Sequence, residues 1–204
     1  MLLVDFDPLS GTDQLLGRTD RQLGCTNRQL VKHLTEADGK LGESISHVDE
    51  HLDLLTAGKD LIELELAMTG HERREYLLDK GLQTLKGSYD FVIIDAPSSL
   101  GLLTENALAA ADAALVPVRC HYFGQEGIAE LMHTIGRVSA TLNDRLRILG
   151  FVITHVFQSL RSSQPNINEI RNNYGNLVFN TLIHEAEDLE ADYSKLTDEI
   201  LQCL

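Results

Sequence analysis

The chain has 204 residues, 43% of them hydrophobic and 24% charged, which is ordinary for a globular protein with a sizeable core. With 17 Lys and Arg against 31 Asp and Glu, the formal charge is −14 and the isoelectric point about 4.8, which opposes strong unspecific binding to nucleic acid. No run approaches the roughly 18–20 apolar residues of a membrane span, and Met1-Leu2-Leu3-Val4-Asp5 lacks the charged start and long apolar stretch of a signal peptide, so the cytoplasm is the expected compartment. Three well-separated cysteines, Cys25, Cys120 and Cys203, form neither a disulfide framework nor a CxxC metal site.

Met1 to Val4 is an apolar run that ends on Asp5-Phe6-Asp7-Pro8, and Pro8 turns the chain by pushing Asp7 out of helical geometry. Asn27 to Ala37 reads as a helix with Leu30, Val31 and Leu34 on one face. A polar stretch with Gly39 and Gly42 leads into a short strand at Leu52 to Leu55. Asp60 to Gly81 alternates like a strand at its start. Its length, its Leu, Glu and Ala content and its flanking Asp60 and Gly81 favour one helix.

The stretch Tyr89 to Gly101 carries the strongest signal. Phe91 to Ile94 is an unbroken apolar run, as expected of a strand buried on both faces of a parallel sheet, and it ends on Asp95 and a Pro97-Ser98-Ser99-Leu100-Gly101 turn. Ligands of such sheets bind beyond the carboxyl ends of the strands, where an acid needs a cation or donors to offset its desolvation. Asp95 therefore reads either as the Walker B aspartate of a P-loop nucleotide hydrolase, helping to hold Mg²⁺, or as a strand-end cap for the next helix.

Leu102 to Ala111 is helical, and Ala113 to Val118 is a strand closed by Pro117. Gln125 to Leu142 is the clearest helix, with Ile128, Leu131, Met132, Ile135 and Val138 on a core-facing stripe. A strand at Ile148 to Thr154 follows, then a helix bracketed by Ser163, Pro165 and Gly175. That helix turns Ile167, Ile170 and Tyr174 inward. A last strand at Leu177 to Ile183 and an acidic helix at Glu187 to Leu204 complete the chain. Alternating strands and helices without a linker or repeat predict an α/β fold over 1–204, one domain with a mainly parallel sheet flanked by helices.

These segments together resemble the ParA/Soj partitioning ATPases, relatives of MinD. Leu2-Leu3-Val4-Asp5-Phe6-Asp7-Pro8-Leu9-Ser10-Gly11, with Leu16-Gly17 beyond it, is similar to the family's LLVDxDPQGxxTxxLG. Tyr89 to Asp112 is similar to YDxxxIDxPPSLGxLxxNALxAAD, departing at Ser98 where a second proline is usual. Val116 to Leu131 is similar to VPVxxxYFxxEGxxxL. The resemblance implies an ATP- and Mg²⁺-dependent switch that works as a homodimer with a ParB-like activating partner. It makes Asp95 the Walker B acid acting on Mg²⁺ through water, Asp7 the residue that holds the attacking water, and Asp5 part of the metal's outer shell. Pro97, Ser98 and Gly101 would belong to a second switch that reports the γ-phosphate.

One part of that machinery is not in the sequence. A P-loop needs glycine-rich backbone to cradle phosphates and a lysine to neutralise them. Gly39-Lys40-Leu41 and Gly58-Lys59-Asp60 have neither flanking glycines nor a following Ser or Thr. The family's first strand, P-loop and first helix, a unit of roughly 30 residues, are expected ahead of the strand that opens here. Truncation of a longer protein is one explanation. A natural pseudo-ATPase, serving as a non-catalytic dimerisation or partner-binding module, is the other. On either reading the 204-residue chain is not expected to hydrolyse ATP.

His47-Val48-Asp49-Glu50-His51 matches H-x-x-E-H but lies outside any long helix, so it reads as solvated surface rather than a zinc site. DNA contact, which the resemblance implies, would fall to Arg145, Arg147, Arg161 and Arg171. Glu185, Glu187, Asp188, Glu190 and Asp192 crowd the stretch after the last strand, where the family carries arginine, and His184 stands where a proline is usual.

Overall fold

In the computed structural model the described residues are 1–9, 12, 27–36, 40–56, 61–120, 125–157, 160–185 and 189–204. They divide into two compact units, one of residues 1–111 with 136–144 and the other of 112–135 with 145–204. Each has its own sheet.

The first unit is built on four strands, β1 (Leu2–Asp5), β2 (Ile45–Asp49), β3 (Leu52–Thr56) and β4 (Val92–Asp95), in the order β2-β3-β1-β4. β1 runs parallel to both β3 and β4, and β2 pairs antiparallel with β3. Leu2, Val4, Phe6 and Leu55 are buried on the sheet. They pack with Leu30 and Leu34 of α1 (Asn27–Glu36), Leu61, Leu64 and Met68 of α2 (Leu61–Met68), Leu77 and Leu78 of α3 (Leu77–Gln83), and Leu103 of α4 (Leu102–Ala110). At about 25 cal/mol per Å² of apolar area, burial of this set is the main force holding the unit together.

Two expectations need correction here. The single helix from Asp60 to Gly81 is instead α2, a turn, a short 3₁₀ segment at Arg74–Tyr76, and α3. α2 ends at Met68, with turn bonds at Thr69 and His71, and Arg73 beyond it sits in the left-handed region at φ 57°, which no helix interior accommodates, so no helical segment resumes before Arg74 despite the helix-forming composition. The polar stretch before Leu52 contains β2, whose His47 Nδ1 lies 2.9 Å from Asp53 Oδ1 on β3. The H-x-x-E-H match is thus an edge hairpin. Among the described residues no three His, Cys, Asp or Glu side chains are grouped to hold a metal.

The second unit carries β5 (Ala113–Arg119), β6 (Arg147–Val156) and β7 (Val178–His184), all parallel, in the order β5-β6-β7. Pro117 lies inside β5 rather than closing it, which an edge strand tolerates because one side of its backbone needs no donor. Gly150 in β6 is a site of close approach. A Cβ there would meet Phe179 Cε2 at 2.6 Å and the Leu177 carbonyl at 2.8 Å. Val152, Phe179, Ile183 and Leu196 form a core between this sheet and α7 (Leu189–Leu201). The helix expected around Ser163 to Gly175 is α6 (Leu160–Tyr174), with Ile167 and Ile170 buried and Tyr174 stacked on Phe151 at 4.4 Å between ring centroids. α5 (Gln125–Thr141) has residues in both units; Ile135 in the second and Val138 in the first are buried, while Ile128, Leu131 and Met132 are half-buried. Cys120 is buried and Cys203 exposed, and both are free thiols; Cys25 lies outside the described residues.

Candidate functional site at the carboxyl ends of β1 and β4

The apolar runs of β1 and β4 end together. Asp5 is the register partner of Asp95, the last rung of a parallel ladder that begins with Leu2 and Val92. The Phe6 amide donates to the Asp95 carbonyl at 2.9 Å, so the pairing continues one residue past the strands and fixes where Asp7 emerges. Asp7 then turns the chain by accepting the Leu9 amide at 2.8 Å, an Asx turn consistent with Pro8 at this position. Asp5 is 2% exposed, Asp7 is half-buried and Asp95 reaches solvent.

Burial of the Asp95 carboxyl pushes its pKa above the ordinary carboxylate range, and the charges of Asp5 and then Asp7 push it further. Three acids thus feel one another at a single sheet rim, and no basic side chain forms an ion pair with any of them among the described residues. Such a site favours a cation, or a proton shared in its place. The three do not chelate a metal directly. The arrangement suits Mg²⁺, which dehydrates reluctantly and is commonly held through water by one or two carboxylates and substrate phosphates.

The turn after β4 is fastened from the helix that follows it. Pro97 is buried and Ser98 exposed, and Gly101 stands at the N-cap of α4 with its carbonyl accepting the Glu105 amide at 3.0 Å. Thr104, itself 4% exposed, points its hydroxyl at the Pro97 carbonyl (3.2 Å) and at the Ser99 carbonyl. One hydroxyl proton faces two acceptors, so the turn is pinned from the first turn of α4. Asn106 one turn portion further on is fully buried. It donates to the Arg74 and Leu102 carbonyls at 2.9 and 3.0 Å and accepts the Leu78 amide at 3.2 Å. Asn106 fills the Asn of the YDxxxIDxPPSLGxLxxNALxAAD pattern without a role assigned to it there, and Thr104 is not singled out by it. Beside that pattern, the signal for both is a polar side chain in an Ala/Leu-rich helix, where a buried polar group must have partners.

The residues expected to touch DNA are mostly engaged within the protein. Arg145 lies 3.5 Å from Asp112, Arg147 donates to the Cys203 carbonyl at 3.2 Å, and Arg171 donates to the Asn180 carbonyl at 3.3 Å. The Arg161 side chain lies outside the described set. His184 is also engaged, with Nδ1 2.8 Å from Asp192.

Comparison with known proteins places this geometry. Residues 1–148 match the model of an AAA domain family, AAA_31. The chain is 37% identical over 133 residues to the chromosome partitioning protein ParA of Myxococcus xanthus, covering 65% of this chain and 47% of that protein. It is 38% identical over 185 residues to the chromosome-partitioning ATPase Soj of Thermus thermophilus, covering 90% of this chain and 68% of the relative. Among solved structures, cobyrinic acid a,c-diamide synthase from Mycobacterium smegmatis with bound ADP and magnesium superimposes with a TM-score of 0.89 at 30% identity, over 98% of this chain and 81% of that one. A plasmid partition protein from Borrelia burgdorferi gives 0.75 at 25% identity, over 98% and 82%. No described helix is long and apolar enough to cross a membrane. With the fold, the acidic rim and these likenesses in agreement, the chain belongs to the ParA/Soj family of chromosome-partitioning proteins.

Proposed function

We propose that this chain is the switch-bearing part of an ATP- and Mg²⁺-dependent partitioning or positioning ATPase that works as a homodimer. The observation that carries this reading is the Asp5–Asp95 register, with Asp7 two residues on at the same rim. In it Asp95 and Asp5 would hold Mg²⁺, Asp95 through water and Asp5 from farther out, and Asp7 would orient the attacking water. The metal, when bound with nucleotide, neutralises charge on the transferring phosphoryl group. The Pro97–Gly101 turn changes shape with the γ-phosphate. Thr104 supports that role, since its hydroxyl pins the turn from α4. A ParB-like partner and a cytoplasmic location belong to the same reading. In the same reading DNA contact falls to the arginines named above, against the chain's net charge of −14.

The strand and loop that would cradle the phosphates belong, on this proposal, at the free edge of β4. β4 reads as an interior strand, yet Phe91, Val92 and Ile93 are 46, 42 and 51% exposed. No side chain caps its outer edge among the described residues. On β7, by contrast, side chains of α7 take backbone amides, two of them where the register on β6 shifts. Glu199 of α7 accepts the Asn180 and Thr181 amides at 2.7 and 3.0 Å, and Asp192 accepts the His184 amide at 3.1 Å.

The test is phosphate release. The 204-residue chain is expected to give none above background. The chain preceded by a family strand, P-loop and helix should turn over ATP, and Asp95→Asn should abolish that by a factor of 10² or more, on the order expected when one positioning group of phosphoryl transfer is removed. Turnover by the chain alone, or turnover indifferent to Asp95, rejects the assignment.

A further inference from the structure

We propose that the cavity between the Arg73 turn and α3 binds a small organic phosphate monoester. It offers about 430 Å³ and is lined by Arg73, Tyr76, Asp79 and Lys80. A space of that size lies within the usual range of small-molecule sites and is larger than a bare phosphate fills. Two of the four residues are cations without a partner. Neither the Arg73 guanidinium nor the Lys80 ammonium enters an ion pair or a side-chain hydrogen bond among the described residues. In a chain of net charge −14, acids are plentiful, and Arg74, Arg137 and Arg145 each meet one.

The lining selects its occupant. A planar guanidinium fork beside an ammonium point charge suits a tetrahedral dianion, which accepts two parallel bonds from the first and is neutralised by the second. The other two residues match the rest of the ligand. The Tyr76 hydroxyl donates to the Leu142 carbonyl at 3.1 Å, so its proton is spent and the ring is left to pack on carbon atoms. Asp79 accepts the Gln83 side-chain amide at 3.1 Å, and a carboxylate has lone pairs to spare for a hydroxyl of the ligand.

The backbone that carries these groups is already fixed. Arg73 holds φ 57°, a conformation that is costly for any residue but glycine, and its carbonyl accepts the Tyr76 amide at 3.0 Å. Asn106 of α4 accepts the Leu78 amide and donates to the Arg74 carbonyl, which clamps the segment between Arg73 and Lys80. A wall set in advance lowers the ordering cost of binding. The arginine therefore stands at a conformational cost, and the cavity gives its side chain a use. None of this rests on the switch role proposed above for the Pro97–Gly101 turn.

Glycerol phosphate is the probe, titrated into the isotope-labelled 204-residue chain and followed by amide chemical shifts. Mg²⁺ is left out, so that the acids at Asp5, Asp7 and Asp95 repel an anion from the other site. The shifts should centre on the amides from Arg73 to Lys80. Glycerol phosphate should bind more tightly than inorganic phosphate, succinate or glycerol. Arg73→Gly relieves the left-handed backbone, so it should melt no lower than the parent chain and yet bind roughly fivefold more weakly, the scale of one partly exposed charge pair. Lys80→Gln should weaken binding by a similar factor, whereas Lys86→Gln, exposed on the same stretch, should not. If Arg73→Gly melts lower than the parent, Lys80→Gln alone decides. Shifts centred elsewhere, equal affinity for inorganic phosphate or succinate, or binding undiminished by the deciding variants overturns the proposal.

Discussion

Asp5 and Asp95 end neighbouring parallel strands on the same rung, one carboxylate buried and the other reaching solvent. The pair is electrostatically unfavourable as it stands. Burial and the charges of Asp5 and Asp7 hold the Asp95 carboxyl above its ordinary range, so between the unfolded and folded pKa values the native chain binds more protons than the unfolded one. Stability therefore falls as pH rises through that window, and the whole penalty is present at neutral pH. Asp95→Asn should melt higher than the parent chain at pH 7, and the difference should close as the pH is lowered through the carboxylate range. A variant that melts lower at pH 7 would show that Asp95 is stabilised by a partner rather than strained by its neighbours.

Asn106 carries a structural load that its position in α4 disguises. Its side chain satisfies the Leu78 amide at the start of α3 and the Arg74 carbonyl in the turn before it. Asn106→Ala leaves these groups buried without a partner, a loss of about 2–4 kcal/mol when two such groups are stranded. Urea denaturation should register this as a lower midpoint at unchanged slope. A loss under about 0.5 kcal/mol, the range of ordinary surface changes, would mean that water replaces the amide.

How much of this was visible in the sequence differs from element to element. The strands at Leu2 and Val92 were legible because a run of consecutive apolar residues ending on an acid has few other uses, and the acidic rim follows from where those strands end. β2 was not legible. Ile45-Ser46-His47-Val48-Asp49 has one solvated face and an edge position, which leaves its alternation too polar to read. The break between α2 and α3 was hidden because Leu, Glu and Ala fill all but one position from 61 to 67; the helix stops at Met68, and the left-handed Arg73 keeps it from resuming before Arg74. The exposure of Phe91 to Ile93 could not be read at all, since a strand's composition records the neighbours it is suited to and not those it has.

Tyr89 offers a spectroscopic check on the first unit. Its hydroxyl donates to Asp53 Oδ2 at 2.7 Å, tying the approach to β4 to β3 across β1. Burial, and then the bond and charge of Asp53, push the phenol up to about 12. A raised phenol pKa means stability that is complete below about pH 10, the ordinary tyrosine value, and declines as pH climbs toward 12. In an absorbance titration one of the 5 tyrosines should ionise last, near 12, and Asp53→Asn should move it down. Asp53 is itself held below its usual range by the Tyr89 bond and then by His47, so Tyr89→Phe should raise the Asp53 pKa. Five tyrosines ionising together near 10 would mean that the Tyr89–Asp53 bond does not persist in solution.

The two outer edges β4 and β7 make opposite predictions about association. A strand edge with free amides and carbonyls templates further pairing unless something blocks it. On β7, side chains of α7 take such groups: Glu199 accepts the Asn180 and Thr181 amides, where the register on β6 shifts, and Asp192 the His184 amide. Burial pushes the Glu199 carboxyl up, but the hydrogen bonds from Asn180 and Thr181 outweigh this and leave it below its usual range. Glu199→Ala should cost about 1–2 kcal/mol for the lost charge-assisted bonds. That stabilisation is present above the ordinary carboxylate range and is lost as pH falls through the depressed value, so the parent and variant should converge in acid. At β4 nothing comparable is found among the described residues, and Phe91, Val92 and Ile93 present apolar surface beside the open edge. The chain should therefore associate with rising concentration in sedimentation velocity, and Ile93→Lys, which places a charge on the exposed face away from the core-packed Ile94, should reduce it. A parent chain that stays monomeric at high concentration, or association that Ile93→Lys leaves untouched, would mean that the β4 edge is covered in solution, and with it the proposed place for the phosphate-binding strand would be lost.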